Sequence, residues 1–117
     1  MTPDNSIKGR SVLITGGNRG LGREMALYLA KAGVKLCITA SKDGKAYEDT
    51  SNELMAILGK DKFLGKVVDV SDSKGIERLT HDCIEKFSKI DVLVNNAARG
   101  MRLISETFNT VPTKFWE

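Results

Sequence analysis

Cysteine and histidine are scarce. Two cysteines and one histidine in 117 residues leave nothing for a disulfide framework and little for a zinc site. Cys37 falls within an apolar, strand-like run and Cys83 on the apolar stripe of a helix, so each reads as a small core residue. His81 has no cysteine or carboxylate pattern at ligand spacing beside it, and it reads as a surface residue; no metal is expected. No charge of one sign is massed either: 18 Lys and Arg interleave with 15 Asp and Glu for a net charge of +3. Lys60, Lys62 and Lys66 therefore read as solvated side chains, and nucleic acid is not an expected partner. No apolar run approaches the roughly twenty residues that cross a bilayer, and the polar start Met1-Thr2-Pro3-Asp4-Asn5 lacks the apolar core of a signal peptide. A cytoplasmic location without membrane contact is the expectation. With 41% hydrophobic and 28% charged residues and two prolines, neither disorder nor a collagen-like chain fits. The length allows one domain with a core, without room for a separate substrate domain.

What is present is a glycine-rich run, Thr15-Gly16-Gly17-Asn18-Arg19-Gly20-Leu21-Gly22, in a telling place. Before it, Ser11-Val12-Leu13-Ile14-Thr15 is short, apolar and β-branched; after it, Leu21, Met25 and Leu29 recur at i, i+4, i+8, with Ala26, Ala30 and Ala32 nearby. Strand, turn and helix follow one another. Gly16 suits a turn, Gly20 lets backbone N–H groups approach a pyrophosphate, and Gly22 lets the helix pack closely on the sheet. The helix N-terminus then faces the anion with unpaired amides and the positive end of its dipole. Gly33 closes the helix and Leu36-Cys37-Ile38 opens a second strand, which completes a βαβ unit.

Further on, Asp43-Gly44 supplies a turn, and Tyr47, Ser51, Leu54 and Leu58 mark a helix face that stops near Gly59. A third strand is expected from Phe63 to Val70, then capping by Ser71-Asp72 and a helix striped by Ile76, Leu79, Cys83 and Phe87. Ile90 to Val94 reads as a fourth strand. This βαβαβαβ pattern predicts an α/β fold, a Rossmann-like parallel sheet of order 3-2-1-4 with helices on both faces. The crossover rule places the first two helices on one face and the third alone on the other. Ligands of such sheets sit at the carboxyl ends of the strands. There lie the glycine loop, Ser41-Lys42, Asp69-Val70 and Asn95-Asn96-Ala97.

These four loops together resemble the short-chain dehydrogenase/reductase family, whose N-terminal half carries a TGxxxGxG loop, an Asp-Val pair after the third strand and an Asn-Asn-Ala-Gly motif after the fourth. The resemblance covers nearly the whole chain, with Ala98 standing where the last motif has glycine. It implies a nicotinamide cofactor held by Gly16, Asn18, Arg19, Gly20, Leu21, Ser41, Lys42, Asp69, Val70, Asn96 and Ala97. Within that set Asp69 would meet the adenine amino group, Val70 would give a backbone contact, and Asn96-Ala97 would line the ribose and pyrophosphate region. Asn95 is expected to tie neighbouring strands instead, because a buried amide has to pair its donors and acceptors.

Basic groups near the adenosine ribose favour a 2′-phosphate, and carboxylates favour the bare hydroxyl. Arg19, Ser41 and Lys42 therefore point to NADP over NAD; Asp43 would reach the ribose only if the second strand ran two residues longer. The family's hydride transfer uses a Tyr-x-x-x-Lys pair and an upstream Ser, and none is identifiable: Ala32 follows Tyr28 by four residues and Ser51 follows Tyr47 by four. No catalytic residue is assigned, and the 117 residues by themselves are expected to be inactive. The chain reads as a single NAD(P)-binding domain, incomplete at its C-terminus, whether by truncation, an incomplete gene model or natural shortening. Residues 101–103 read as loop, and residues 110–117 read as a helix only begun. The parent would act on a small carbonyl or alcohol, and homo-oligomers are compatible with the exposed edge at Val92-Leu93-Val94. The alternative is a non-catalytic module that senses NADPH or docks a partner.

Overall fold

The computed structural model describes residues 5–96. After a 3-10 turn at Asn5–Ile7 come β1 (Ser11–Thr15), α1 (Gly20–Lys31), β2 (Lys35–Ala40), α2 (Lys45–Leu58), β3 (Phe63–Val67), α3 (Ser73–Phe87) and β4 (Val92–Asn95). The sheet has the order β3-β2-β1-β4 with every pairing parallel, as expected. Ala97, Ala98 and residues 101–103 and 110–117 lie outside the described residues.

Alternation along the strands divides the core into two layers. Val12, Ile14, Leu36, Ile38 and Phe63 pack with Ala26, Ala30 and Leu54 of α1 and α2. Leu13 and Cys37 face the other way, onto Leu79, Cys83 and Phe87 of α3. The physical cause is handedness: β1 to β3 advance in one direction across the sheet and β4 lies on the opposite side, so right-handed crossovers put α3 on the second face. Cys37 and Cys83 lie in that second layer as free, buried thiols. The Cys83 sulfur and burial hold the Cys37 thiol above its ordinary range, so it stays uncharged in the core.

Three expectations are corrected. On α1 the buried residues are Gly22, Ala26 and Ala30, whereas Leu21 is 70% exposed. The helix begins too close to the glycine loop for anything but small residues to lie beneath it, and Leu21 is turned out to solvent. β3 stops at Val67, not Val70, because its partner β2 ends at Ala40 opposite Val67. One further bond, Val68 N–H to the Ala40 carbonyl at 2.9 Å, precedes the turn in which Asp72 N–H donates to the Asp69 carbonyl. β4 spans Val92–Asn95, later than Ile90 to Val94, because its ladder starts where Val92 meets Val12 and ends where Asn95 meets Thr15.

The helix ends follow their local chemistry. Gly33, at φ +84°, closes α1: its N–H donates to the Ala30 carbonyl at 3.0 Å and Val34 N–H to the Leu29 carbonyl at 3.5 Å, the paired bonds of a Schellman ending. Asp72 caps α3 by accepting from Lys74 N–H at 3.2 Å. On the outer side of β4, Leu93 is 61% exposed, and no strand pairs with that edge among the described residues.

Asp91 ties β4 to the start of β1. Its Oδ2 accepts from Ser11 N–H at 2.8 Å, and its own N–H donates to the Ser11 carbonyl at 2.8 Å. The Ser11 N–H, with Lys89 and Arg10 nearby, holds the carboxyl below the usual aspartate range. A folded pKa below the unfolded value of about 3.9 means that the carboxylate's stabilisation is present above that pH and is lost as the pH falls through the folded value. Asp91→Asn is expected to lower the melting temperature at pH 7 by about 5 °C. The gap from wild type should shrink on acidification below about pH 4; a gap independent of pH across a calorimetric series would refute the assignment.

Candidate functional site

The loop after β1 is held from three sides. Gly16 has φ +72°, a conformation that side chains resist, and it turns the chain above the sheet. Its N–H donates to Thr39 Oγ1 at 3.2 Å, and Gly17 N–H donates to the Thr39 carbonyl at 3.1 Å, so β2 fixes the beginning of the loop. From the end of β4, Asn96 Nδ2 donates to the Gly16 carbonyl and Asn96 N–H donates to Thr15 Oγ1, each at 3.1 Å. From α2, Thr50 Oγ1 donates to the Asn18 carbonyl at 2.9 Å.

Two glycines of the loop answer to different neighbours. A Cβ on Gly22 would stand 2.3 Å from the Gly16 carbonyl oxygen and 2.5 Å from Asn96 Nδ2, so the close packing expected at Gly22 is against the loop and Asn96. Gly20, at φ +58°, faces open space: a Cβ there would meet nothing within 4 Å. Arg19 precedes α1 in extended backbone, and its side chain makes no capping bond; no acidic residue sits in the first turn. Among the described residues no side chain caps the start of α1 at Arg19, and its N–H groups with the positive dipole end suit a diphosphate.

Beside the loop lies a cavity of about 180 Å³ lined by Asn18, Arg19, Ser41, Lys42, Asp43, Gly44, Lys45 and Ala46. Four of the residues expected at the site meet here: Asn18 and Arg19 from the glycine loop, Ser41 and Lys42 from the end of β2. The strand stops at Ala40, as the NADP reading needs, yet Asp43 still reaches the cavity wall. Asp69 and Val70 are not part of it. Asp69 Oδ1 accepts from Ser71 N–H at 2.9 Å and from Ser71 Oγ at 2.7 Å, and Asp69 lines a separate cavity of about 320 Å³ with Lys66, Asp72 and Arg78. Val70 is 44% exposed.

Asn95 Oδ1 accepts from Thr15 Oγ1 at 3.3 Å, a bond between β4 and β1, but Asn95 is exposed and not the buried amide expected. Asn96 spends a side-chain N–H on the Gly16 carbonyl, so it also braces the loop. Thr39, Thr50, Gly17 and Lys45 escaped the sequence reading. Thr39 looks like any β-branched strand residue and Thr50 like any polar helix residue. Gly17 is needed because a Cβ there would come within 2.7 Å of Ile38 Cγ2. The basic character of Lys45 beside Ser41-Lys42 was the one legible signal among them.

His81 lies on the surface as expected, yet the absence of a carboxylate pattern beside it requires a correction. Its ligand atom lies within 4.8 Å of those of Asp82 and Glu85, a grouping that the i, i+4 spacing of His81 and Glu85 on α3 made legible. Asp82 is engaged by Lys66 Nζ at 3.0 Å, and that cation holds its carboxyl below the usual range. A cavity of about 540 Å³ between Tyr47, Met55, Phe63 and Lys86 contains none of the glycine-loop residues. Among the described residues no helix is long and apolar enough to cross a membrane.

The parallel order, the loop at its carboxyl edge and the helix start behind it define a Rossmann-like α/β domain. The profile of the short chain dehydrogenase family matches residues 10–117, and the chain belongs to that family. It is 35% identical over 112 residues to the short chain dehydrogenase/reductase dpfgG of Gibberella zeae, covering 96% of this chain and 39% of that protein. It is likewise 35% identical over its full 117 residues to the rhamnolipids biosynthesis 3-oxoacyl-[acyl-carrier-protein] reductase of Pseudomonas aeruginosa, of which it covers 43%. Among solved structures, the 3-ketoacyl-(acyl-carrier-protein) reductase from Brucella melitensis complexed with NADH superposes with a TM-score of 0.70. That match is 34% identical and covers 81% of this chain and 37% of that one. The chain thus spans about two-fifths of the length of these relatives.

Proposed function

We propose that the chain forms the NADP(H)-binding part of a short-chain oxidoreductase that moves hydride between the cofactor and a small carbonyl or alcohol. The observation that carries the NADP reading is the charge of the 180 Å³ cavity, where Arg19, Lys42 and Lys45 face a single carboxylate, Asp43. A 2′-phosphate gains charge-assisted hydrogen bonds from such cations, and a hydroxyl gains little. Gly20 and the first turn of α1 would take the diphosphate, with Leu21 offering its backbone N–H. Ser41 would bond the ribose phosphate beside Lys42. Asn96 would keep the Gly16 carbonyl turned away from the anion, while Asp69, Val70 and Ala97 complete the adenosine side by family resemblance.

The nicotinamide, when bound, supplies or accepts the hydride. By family resemblance the proton donor for the carbonyl oxygen is the tyrosine of a Tyr-x-x-x-Lys pair, and neither Tyr28 nor Tyr47 has a lysine four residues on. The names of the relatives, a dehydrogenase/reductase and two acyl-carrier-protein reductases, support the carbonyl and alcohol class.

Fluorescence titration of the 117-residue chain with NADPH and NADH tests the assignment. NADPH is expected to bind at least about tenfold more tightly, equivalent to roughly 1.4 kcal/mol. Equal or tighter binding of NADH would overturn the NADP assignment, and no binding of either would overturn the cofactor reading.

A further inference from the structure

We propose that Thr50 is a positioning residue for cofactor choice: through the Asn18 carbonyl it aims Arg19 across the cavity at Lys42. The inference rests on the NADP reading above and goes beyond it, because Thr50 lies on α2 and does not itself line the cavity. Its side chain is 1% exposed, and its hydroxyl donates to the Asn18 carbonyl at 2.9 Å over a separation of 32 residues. That carbonyl belongs to the peptide plane joining Asn18 to Arg19, so holding it fixes the direction in which Arg19 leaves the loop. On the other side of Arg19, its own carbonyl accepts from Arg23 N–H at 3.2 Å. The backbone of Arg19 is therefore pinned at both ends, once by α1 and once by α2.

The second wall of the cavity is the 41–46 segment that runs directly into α2. One helix thus carries Lys42 and Lys45 at its entrance and, further along, the hydroxyl that holds the opposite wall. A surface ion pair between Arg23 and Glu53 joins α1 to α2 as well. The distance between the cations that would share a 2′-phosphate is set by these cross-links. Hydrogen bonds are directional, and a buried hydroxyl donating to a partly covered carbonyl fixes orientation as well as distance. A 2′-phosphate reads the position of Arg19; a 2′-hydroxyl does not. The diphosphate, seated at Gly20 and α1, depends less on it.

The test compares Thr50→Val and Thr50→Ser with wild type in titrations of the 117-residue chain with NADPH and NADH, alongside melting temperatures without cofactor. Thr50→Val is expected to weaken NADPH about tenfold and NADH about threefold or less, so the preference narrows, while Thr50→Ser restores it to within about twofold. Glu53→Gln, at an exposed position, is expected to weaken NADPH about twofold with NADH unchanged, and if Thr50→Val does not fold, an unchanged NADPH affinity in Glu53→Gln overturns the proposal. An unchanged NADPH affinity in both Thr50→Val and Glu53→Gln overturns the proposal. So does an equal loss for both nucleotides with a lowered melting temperature, which would mark Thr50 as structural only. If wild type binds neither nucleotide, the cofactor reading falls and takes this proposal with it; if wild type prefers NADPH and the variants match it, only this proposal falls.

Discussion

Replacing Gly22 by alanine is expected to lower the stability of the domain by about 3 kcal/mol, a drop of roughly 15 °C in melting temperature, and to remove measurable nucleotide binding. The added Cβ would stand 2.3 Å from a backbone oxygen and 2.5 Å from the Asn96 amide nitrogen. Neither neighbour can swing away as a long side chain could. The Gly16 carbonyl is part of the turn at φ +72°, which the Thr39 bonds hold in place. Asn96 makes the 3.1 Å, partly buried bond that the new methyl would break, and losing it costs about 1 kcal/mol in addition to the overlap. Movement of α1 away from the sheet would relieve the clash, but it would also withdraw the helix start from the place where the diphosphate would sit. Calorimetry and an NADPH titration check both halves. A Gly22→Ala chain that melts within a few degrees of wild type and keeps its affinity would show that the loop, α1 and Asn96 are not in contact as described. Gly20→Ala offers the contrast, because open space in front of that position leaves only the positive φ as a penalty, about 1 kcal/mol.

The second large effect concerns charge. Removing both cations in Arg19→Ala/Lys42→Ala is expected to weaken NADP about hundredfold and leave NAD within about twofold, since each charge-assisted bond to phosphate contributes about 1.4 kcal/mol here. Both side chains line the 180 Å³ cavity, one from each wall. The NADP loss should also shrink at high salt, because screening weakens the wild-type attraction more than the variant's. Parallel losses for the two nucleotides would place these residues at the diphosphate, and no loss would remove them from the site. Lys45 remains in the double variant, paired with Asp49 at 3.5 Å, and it would account for any NADP preference that survives.

Much of the fold was legible because it rests on local repetition. The apolar run Val12–Ile14 and the stripe Leu79, Cys83 and Phe87 each announce their element without reference to the rest of the chain, and right-handed crossovers then fix which helix lies on which face. The errors fall where a partner decides the outcome. β3 ends when β2 runs out, β4 begins where β1 can receive it, and α1 buries Gly22, Ala26 and Ala30 because the loop leaves no room for Leu21 beneath the helix. A period of 3.6 or 2 residues cannot encode the length of a distant neighbour.

The same division runs through the site. The candidate cavity residues Asn18, Arg19, Ser41 and Lys42 lie in two short segments at strand ends, and the family resemblance of those loops pointed to them. The supports of the loop were not legible. Thr39 and Thr50 act through single hydrogen bonds to loop backbone 23 and 32 residues away, and Asn96 braces Gly16 across 80 residues.

By itself the sequence determined that this is a parallel α/β chain of the short-chain dehydrogenase kind, with a glycine loop at the mouth of its first strand. Only the tertiary structure decided how that loop is held, which side of α1 is buried and that cations from two separate segments face one cavity. The reason is physical: periodicity and glycine spacing are local properties of the chain, whereas carbonyls, amides and charges acquire their partners only when packing brings distant backbone to within hydrogen-bonding reach.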